Sequence, residues 1–429
     1  MQQEIHRLSA PRSPDGAKRP ALIVFSHLRW GFVFQRPQHL LTRLAKDFRV
    51  FFIEEPVLDT TGNSWIGSAQ QDSGVEVVTP HTAVTHPGFH DDQLAAMQPL
   101  IAEFVASRDI EAPFVWLYTP MALPLVAALH PRALIYDCMD DLASFRFAPP
   151  ELVKREALLM KSADLVLTGG PSLYERRKDM HANIHCLPSA VDEQHFAPHR
   201  LVAFSKDAEA AASLHADLPS PRLGFFGVID ERLNLELVAG IADARPDWQL
   251  VMVGPVVKID PATLPLRPNI RWLGMQSYEM LPYLQAQWDV CILPFALNEA
   301  TRFISPTKTL EYLAGEKPVV STPILDVVSL YGDVVRISDD AAGFVTAVEA
   351  ALADGVEEVA LRRRRAAQLI AACTWDGTAA TIRSLILALA PALRTRAHAP
   401  HGALERRAIL APPALEQGVI SQHATALPG

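Results

Sequence analysis

Short apolar runs alternate along this chain with longer stretches that carry the spacing of amphipathic helices. The first run, residues 21–26, reads ALIVFS, and the second, residues 48–54, reads FRVFFIE. A loop and a helix that opens near Pro37 lie between them. A continuous apolar run is typical of a strand buried on both faces of a parallel sheet, and a strand–loop–helix–strand unit of about thirty residues is a βαβ crossover. The chain therefore begins as a parallel α/β sheet.

The same alternation continues in two series. The first adds predicted strands at 113–119, 133–137, 164–169 and 183–189, with helical stretches at 92–107 and 151–162. Residues 197–220 lose the pattern and indicate a linker with room for one short helix. The second series has predicted strands at 222–230, 248–254, 269–274, 289–295, 318–322 and 334–338. This alternation predicts an α/β protein with two Rossmann-like, doubly wound domains that face a cleft.

Composition narrows the function classes. The 429-residue chain has a formal net charge of −9, so it lacks the broad basic surface of a nucleic-acid-binding protein. Its four cysteines form no C-x-x-C pair, which predicts free thiols in a reducing cytoplasm and neither a metal site nor a disulfide framework. The N-terminus lacks the apolar core of a secretory signal, and no apolar run approaches the roughly 18 residues of a membrane span. We expect a cytoplasmic protein, with peripheral contact at the inner membrane face left open.

Residues 305–322, which read SPTKTLEYLAGEKPVVST, are the strongest candidate for chemistry. Ser305 is predicted to cap a helix and Pro306 to take its first position, where no amide hydrogen bond is lost. Thr307 and Lys308 then fall in the first turn, where free amides and the helix dipole favour an anion. This turn predicts a binding site for a diphosphate.

Glu311 follows Lys308 by three residues, so both lie near one face of the helix. An ionised carboxylate accepts two hydrogen bonds and therefore suits a pair of sugar hydroxyls. Together the two residues describe a pocket for a nucleoside diphosphate. The alternative is a capped amphipathic helix on which Lys308 and Glu311 form a surface ion pair.

Two motifs carry a family resemblance. The pattern K-x-x-E-Y-L-A-G-x-K-P-V-V at residues 308–320 resembles the donor-site helix of retaining GT-B glycosyltransferases of the family 4-like, group 1 type. The resemblance implies that Glu311 binds the ribose of a nucleotide sugar. The pattern W-x-x-x-x-Q-R-P-Q-H-L, which begins at Trp30, is similar to the bacterial cell-surface polysaccharide subgroup of that family, including teichuronic-acid-type transferases.

The loop with this second pattern follows the first predicted strand, at the sheet edge where ligands of open α/β sheets bind. Gly31 lets the backbone approach the donor, and Arg36 can pair with a phosphate. With the resemblance, we expect Arg36 and His39 to bind the acceptor. The alternative is an ordinary loop with a surface arginine.

Residues 136–141 read YDCMDD and end another predicted strand, where the subgroup has a similar Tyr-Asp-x-x-Asp. Carboxylates there can orient the acceptor hydroxyl or take its proton. We predict Asp140, in preference to Asp141, as the catalytic group and Asp137 as an acceptor contact. The alternative is a cluster of cap and turn residues.

The family places two basic residues after the glycine that corresponds to Gly227, to bind the diphosphate. Val228 stands at the first position, so Arg232 is the candidate that would act together with Lys308.

A second departure concerns the family's pair of glutamates separated by seven residues. Counting back from Glu311 reaches Phe303, which is not a carboxylate. Glu299 is the nearest upstream candidate to contact the donor sugar, from a loop four residues longer.

The resemblance also predicts how the chain is divided into domains. We predict a disordered segment (1–19), an acceptor domain (20–196), a linker (197–220), a nucleotide-sugar domain (221–373), a helix that crosses back to the first domain with Trp375 as its buried anchor (374–390), and a disordered tail (391–429).

The resulting hypothesis is a retaining, metal-independent glycosyltransferase that needs no cofactor. It would move a sugar from a nucleotide diphosphate sugar to a polysaccharide or lipid-linked acceptor. A nucleotide-sugar epimerase and a catalytically silent binding protein of the same fold are the alternatives. A dinucleotide-dependent oxidoreductase is disfavoured, because no G-x-G-x-x-G follows any predicted strand.

Overall fold

The computed structural model describes residues 19–396, with side chains described through residue 389. The two ends predicted to be disordered lie outside the described residues, apart from residue 19 and residues 391–396. Within the described range the chain forms two parallel sheets, one on each side of the predicted linker.

The first domain contains nine strands within the described residues. They are β1 (Ala21–Ser26), β2 (Arg49–Glu54), β3 (Val57–Leu58), β4 (Trp65–Gln70), β5 (Val75–Thr82), β6 (Phe114–Leu117), β7 (Ala133–Cys138), β8 (Leu165–Thr168) and β9 (Ile184–Cys186). Their order is β3-β5-β2-β1-β6-β7-β8-β9, and β4 runs antiparallel to β5 at the outer edge. The helices of this domain are α1 (Arg36–Leu44), α2 (Leu94–Ser107), α3 (Glu151–Ser162) and α4 (Pro171–Arg177).

Strand β1 shows why the predicted strands are continuous apolar runs. Leu22 and Val24 face one hydrophobic core, whereas Ile23 and Phe25 face the core on the other side of the sheet. Both faces are covered by helices, so successive side chains are all buried.

The second domain repeats the arrangement with six strands in the described part of the chain. They are β10 (Arg222–Phe226), β11 (Gln249–Val253), β12 (Ile270–Trp272), β13 (Val290–Leu293), β14 (Val319–Ser321) and β15 (Arg336–Ile337), in the order β12-β11-β10-β13-β14-β15. Its helices, numbered after α5 and α6, which are described below, are α7 (Leu235–Ala244), α8 (Leu281–Ala286), α9 (Thr307–Ala314), α10 (Leu325–Tyr331), α11 (Ala341–Leu352) and α12 (Val356–Ala372).

All twelve predicted strands form, most of them shorter than the apolar runs that predicted them. Strands β3, β4 and β5 were not predicted. They extend the first sheet beyond β2, and β4 is exposed along most of its length. The exposed strand β4 carries no continuous apolar run, and β5 mixes buried with half-buried positions. This part of the sheet therefore left no clear pattern in the sequence.

The predicted linker is more structured than expected. It follows α5 (Glu193–Phe196) and contains α6 (Lys206–Leu214). Ala211 on this helix is buried in the second domain's core. His215, just after the helix, accepts a 3.0 Å hydrogen bond from the indole N–H of Trp288. The end of the linker therefore packs as part of the second domain.

The last described helix, α13 (Trp375–Arg396), packs on the first domain and is longer than the predicted 374–390 segment. Trp375 is fully buried in a core cluster with Ala379, Ile382 and residues of the first sheet, as expected for an anchor. Among residues 19–396, no helix combines the length and apolarity needed to cross a bilayer.

Candidate functional site

A cavity of about 300 Å³ opens between the loop after β1 and the carboxyl edge of the second sheet. The first domain contributes residues 30–34 to its wall, which include Gly31. A β-carbon added at Gly31 would meet no atom within 4 Å, so its backbone faces open space. The other wall is formed by residues of the second domain: Phe226, Gly227, Val253, Gly254, Pro255, 275–279, Leu281, Lys308 and Glu311.

Two glycines shape the floor of this cavity. Gly227 and Gly254 follow β10 and β11 and have φ angles of +158° and +147°. A β-carbon on Gly254 would lie 1.7 Å from the carbonyl oxygen of Gly227. Only glycine fits at that position, and the bare backbone lets a ligand approach closely.

Helix α9 presents Lys308 and Glu311 to the cavity, but its start differs from the prediction. The helix begins at Thr307 with Pro306 in the cap position, so the expected Ser305 cap is wrong. Ser189 explains the shift, because its hydroxyl donates a 2.8 Å hydrogen bond to the carbonyl of Ser305. The Thr307 hydroxyl bonds to the same serine, at 3.1 Å. Ser305 and Thr307 therefore join the domains and lie outside the cavity wall, where a donor contact was predicted.

Glu311 is only 3% exposed, and its Oε2 atom has no hydrogen-bond partner. Burial raises the pKa of this carboxyl, and the nearby Lys308 partly opposes that effect. Within the described residues, Lys308 forms neither an ion pair nor a side-chain hydrogen bond. The cavity thus combines an unpaired ammonium group with a carboxylate oxygen that lacks a donor, which excludes the surface ion pair considered above.

Tyr278 closes one end of the cavity. Its ring stacks on Phe34 with a 4.4 Å centroid distance and on His195 at 4.0 Å. Its hydroxyl is buried without a partner, and burial, reinforced by Glu311, raises the pKa of this phenol. The stack holds an aromatic wall in place beside Glu311.

Arg36 and Asp137 meet each other and do not reach the cavity. The guanidinium donates two hydrogen bonds, of 2.9 and 3.1 Å, to the carboxylate of Asp137. A third bond, of 2.9 Å, goes to the carbonyl of Leu187. Both side chains are buried and satisfied, so the predicted acceptor contacts are corrected to a pair that fixes α1 against β7.

His39 is likewise buried. Its ring stacks on Trp375 of the crossing helix at 4.7 Å, and Phe34 meets its edge at the same distance. Burial, reinforced by Arg43, holds the pKa of His39 well below its ordinary value. The predicted acceptor contact is therefore corrected to a neutral ring in the packing between the crossing helix and the first domain.

Asp140 is not part of the cavity wall and lies at the boundary between the domains, near Arg232 and Asp230 of the second domain. Burial raises its pKa to about 6, while Arg232 of the second domain opposes the shift and Asp230 reinforces it. Its carboxylate makes no hydrogen bond within the described residues. The neighbouring Asp141 is engaged by Arg177 in a 2.7 Å ion pair, which supports the preference for Asp140.

Among the predicted donor contacts, Arg232 has its guanidinium already bonded to another side chain of the protein. It forms three side-chain hydrogen bonds to the carboxylate of Asp230, the shortest of 2.8 Å. Its guanidinium also lies 5.4 Å from the ring centroid of Phe145 on the first domain. Arg232 does not line the cavity, so the structure does not bring it together with Lys308 as expected.

Glu299 points to solvent, with 74% of its side chain exposed and a long contact of 3.7 Å to Arg302. It does not line the cavity. Glu299 starts a short helical turn capped by Asn298, and this turn carries the carboxylate outward, so the structure does not bring it together with Lys308 and Glu311.

The structure adds residues that the sequence reasoning missed. Glu55 and His27 follow β2 and β1, and Lys258 approaches them from the second domain. Burial raises the pKa of Glu55 to about 7 and lowers that of His27 to about 4, the latter reinforced by Lys258. Glu55 directly follows one predicted strand and Gly254 is the last residue of another, so their positions were a usable signal. Lys258 lies in a loop without a hydrophobic pattern.

His181 and His185, which are four residues apart in the sequence, each have a partner within the first domain. A ring nitrogen of His181 bonds to the carbonyl of Ala163 at 3.0 Å, and one of His185 bonds to Asn183 at 2.9 Å. A separate surface group, formed by His86, His90 and Asp92, has candidate ligand atoms within 4.8 Å of one another. It lies outside the cavity wall.

Comparison with known proteins finds a family match for the second domain. The family model described as Glycosyl transferases group 1 matches residues 220–358. A curated protein of Bacillus subtilis (strain 168), named as a glycosyltransferase of teichuronic acid biosynthesis, is 26% identical over 249 residues. That match covers 53% of this chain and 59% of the Bacillus protein, so the chain spans less than two thirds of the length of this relative.

Solved structures share the fold of the whole described chain. Sucrose-phosphate synthase from Thermosynechococcus elongatus superposes with a TM-score of 0.66 at 15% identity, over 87% of this chain and 100% of that one. The Anabaena protein HepE, in complex with UDP and glucose, gives 0.64 at 13% identity, over 86% and 100%. An E. coli trehalose-6-phosphate protein bound with UDP-2-fluoro glucose gives 0.63 at 11% identity, over 85% and 98%. The predicted GT-B fold class is confirmed.

Proposed function

Starting from the group 1 glycosyltransferases, to which the second domain belongs, we propose that this chain moves a sugar from a nucleoside diphosphate sugar to a polysaccharide or lipid-linked acceptor. The relative from Bacillus subtilis is named for the biosynthesis of such a polymer, which supports the acceptor class. Two of the similar structures hold UDP or a UDP sugar, which makes UDP-glucose the first donor to test.

One observation carries the proposal: the Oε2 atom of Glu311 is buried at the cavity without a donor, one helical turn from the unpaired Lys308. A buried carboxylate oxygen without a hydrogen bond is costly, and a ligand that donates to it removes that cost. A ribose diol supplies two hydroxyl donors. The adjacent diphosphate would meet Lys308 and the free amides at the start of α9.

The proposed reaction uses both walls of the cleft. The bond between the anomeric carbon and the diphosphate oxygen breaks, and Lys308 with the α9 amides stabilises the negative charge that develops on the leaving group. The acceptor oxygen bonds to the anomeric carbon, and Asp140 takes the proton of that hydroxyl. We include retention of configuration in the proposal, with the acceptor oxygen bonding on the face of the sugar from which the diphosphate leaves. We also include independence of metal ions, since Lys308 supplies positive charge for the diphosphate.

The test is incubation of the protein with a panel of nucleotide sugars, with and without EDTA. We expect hydrolysis or transfer from one of them, unchanged by EDTA, with the anomeric configuration retained when the product is read by NMR. The Glu311→Gln variant should lose both nucleotide binding and turnover. Binding without any turnover would instead indicate a silent binding protein, and release of an isomerised nucleotide sugar an epimerase.

The proposal includes peripheral contact with the cytoplasmic face of a membrane, through the outward side of α3. Val153 and Leu158 are exposed there beside the exposed Lys154 and Lys161. Phe147, just before the helix, is 79% exposed. Exposed apolar groups flanked by lysines are typical of helices that lie on anionic lipid.

Co-sedimentation with vesicles tests this contact. The parent should pellet with phosphatidylglycerol vesicles and much less with phosphatidylcholine vesicles. Serine at both Val153 and Leu158 should abolish pelleting, whereas Leu266→Ser, at an exposed leucine of the second domain, should not change it. Equal pelleting of all three proteins would overturn the membrane contact and leave the transfer proposal intact.

A further inference from the structure

The indole of Trp65 is held flat and open on the outermost strand of the first sheet. It stacks on the ring of His81 with a centroid distance of 3.9 Å and an interplanar angle of 2°. Its N–H donates a 2.6 Å hydrogen bond to Asp59, whose other carboxylate oxygen accepts from the amide of Thr61. Trp65 nevertheless remains 46% exposed. One face of the ring is covered by His81, and the ring is fixed in orientation.

This aromatic surface lies at the carboxyl edge of the first sheet, the edge that faces the cleft. Val57 on β3 and Trp65 on β4 both pair with His81 on β5, so the three side chains share one face. Strand β3 begins two residues after Glu55, a half-buried carboxyl near Lys258 of the second domain. Adjacent strands are about 4.8 Å apart, so the row spans about two strand spacings.

A chain of polar contacts connects this row to the nucleotide cavity. Glu54 accepts a 2.8 Å hydrogen bond from the amide of Trp30, which lines the cavity. The same carboxylate accepts from Arg29 at 3.2 Å and from the hydroxyl of Thr79 at 3.1 Å. Thr79 lies two residues before His81 and therefore on the same face of β5. These contacts link the cavity wall to the strand that carries His81.

We propose that Val57, His81 and Trp65 form a binding subsite for sugar units of the acceptor glycan that lie beyond the reacting one. An immobilised indole offers a flat apolar face to the C–H groups of a pyranose ring, and the adjacent Asp59 and Thr61 offer hydrogen-bond partners to its hydroxyls. The inference rests on the proposed function and names where its polymeric acceptor binds.

Two observations favour a glycan over other occupants. The exposed row consists of only three side chains. The area that they offer is far smaller than the roughly 800 Å² that each partner buries in a stable protein interface. Residues 55–90 contain no lysine or arginine, and Asp59 lies directly beside Trp65, so the surface does not suit an anionic membrane. The same charge pattern predicts a preference for neutral sugar units over uronic acids.

The test is binding of two oligosaccharide ladders, malto-oligosaccharides and oligogalacturonides of two to eight units, to the full-length protein by calorimetry. For the parent we expect affinity that rises with chain length on the neutral ladder and remains weaker on the acidic one. Trp65→Ala should lose about tenfold in affinity for the longer neutral chains, about 1.4 kcal/mol, and nothing for the disaccharide. Trp65→Phe, which keeps an aromatic face, should recover part of that loss.

Phe204→Ala serves as the matched control, because Phe204 is a highly exposed aromatic residue of the linker. It should bind both ladders as the parent does. Equal affinity of the Trp65→Ala variant and the parent for long chains would overturn the subsite, as would a parent whose affinity does not depend on length. UDP binding is measured on the same samples and depends on the cavity alone. A parent protein that does not bind UDP would count against the proposed function and not against the subsite.

Discussion

The ring of Phe303 lies 4.8 Å from the guanidinium carbon of Arg176 on the opposite domain. Phe303 also packs against the hydrophobic core of the first domain. The position at which the family resemblance places a glutamate is therefore occupied by an aromatic residue that joins the domains. This contact adds to the bonds from Ser189 and to the 3.0 Å bond from the amide of Ser172 to Asp326.

Phe303→Ala should weaken the contact between the two domains. The substitution removes a cation–π contact and buried apolar area, together about 1–3 kcal/mol at this interface. We expect a larger radius of gyration in solution scattering without ligand, and a return to the parent value when UDP-glucose is added. Phe204→Ala should scatter as the parent does. A Phe303→Ala radius equal to that of the parent without ligand would show that other contacts alone hold the domains together.

Glu311→Gln should weaken UDP, UDP-glucose and uridine alike. The amide keeps the size of the side chain but loses the charge and one acceptor oxygen, so two charge-assisted bonds to the ribose are lost or weakened. Each is worth about 1.5–3 kcal/mol, which corresponds to at least a tenfold loss of affinity in calorimetry. Glu299→Gln is the matched control and should bind normally, because that carboxylate faces solvent. Normal UDP binding by Glu311→Gln would remove Glu311 from the donor site.

Lys308→Ala should weaken ligand binding, whereas Arg232→Ala should lower the stability of the fold. Lys308 is unpaired at the cavity, so its loss should weaken UDP by about tenfold or more and leave uridine unaffected. Arg232 is paired with the buried Asp230, so its loss should instead lower the free energy of unfolding by on the order of 2 kcal/mol. Calorimetry and urea denaturation of both variants check the division. A selective loss of UDP affinity in Arg232→Ala would restore Arg232 to the diphosphate site.

Twelve strands of the two sheets could be predicted because parallel strands buried on two faces leave continuous apolar runs. The Trp65–Gln70 edge strand could not, since its outward positions are free to be polar. Lys308 and Glu311 were found because their spacing within one helix places them on one face. The start of that helix was misplaced because the hydroxyl of Ser189, more than one hundred residues away in sequence, holds Ser305 in another role.

The errors on the first domain have the same origin. Arg36 and Asp137 were assigned to an acceptor because each follows or ends a predicted strand, where ligands often bind. Their pairing joins residues that are 101 positions apart, which no local pattern reveals. His39 was misassigned for the same reason, because its partner Trp375 comes from the far end of the described chain.

Removing one member of the Arg36–Asp137 pair should destabilise the fold strongly. Asp137 is fully buried, so Arg36→Ala leaves a carboxylate without its partner at a cost of about 3–5 kcal/mol in unfolding free energy. Arg36→Met combined with Asp137→Leu should recover much of that loss, because no unpaired charge remains. Urea denaturation measures both. A cost below 1 kcal/mol for Arg36→Ala would mean that the pair is dispensable and again available for an acceptor role.

The last prediction concerns the pH dependence that Asp140 creates. Burial raises its pKa from an ordinary 3.8 to about 6, so the native protein holds this proton over a range in which the unfolded chain has released it. Stability contributed by this group therefore falls as the pH rises from about 4 to about 6 and stays at the lower level above that. Asp140→Asn cannot ionise and should melt at a higher temperature than the parent at pH 8, but at a similar temperature at pH 4.

Activity should move in the opposite direction. A base must be ionised, so kcat/KM of the parent should fall below a pH of about 6. Asp140→Asn should reduce kcat by about a hundredfold or more and lose this acid limb. Glu55, whose pKa is raised to about 7, is the competing candidate, and Glu55→Gln should keep a limb near pH 6. If the fall of kcat/KM at low pH survives in Asp140→Asn and disappears in Glu55→Gln, Glu55 is the base. The higher melting temperature of Asp140→Asn at pH 8 would still follow from the burial of Asp140.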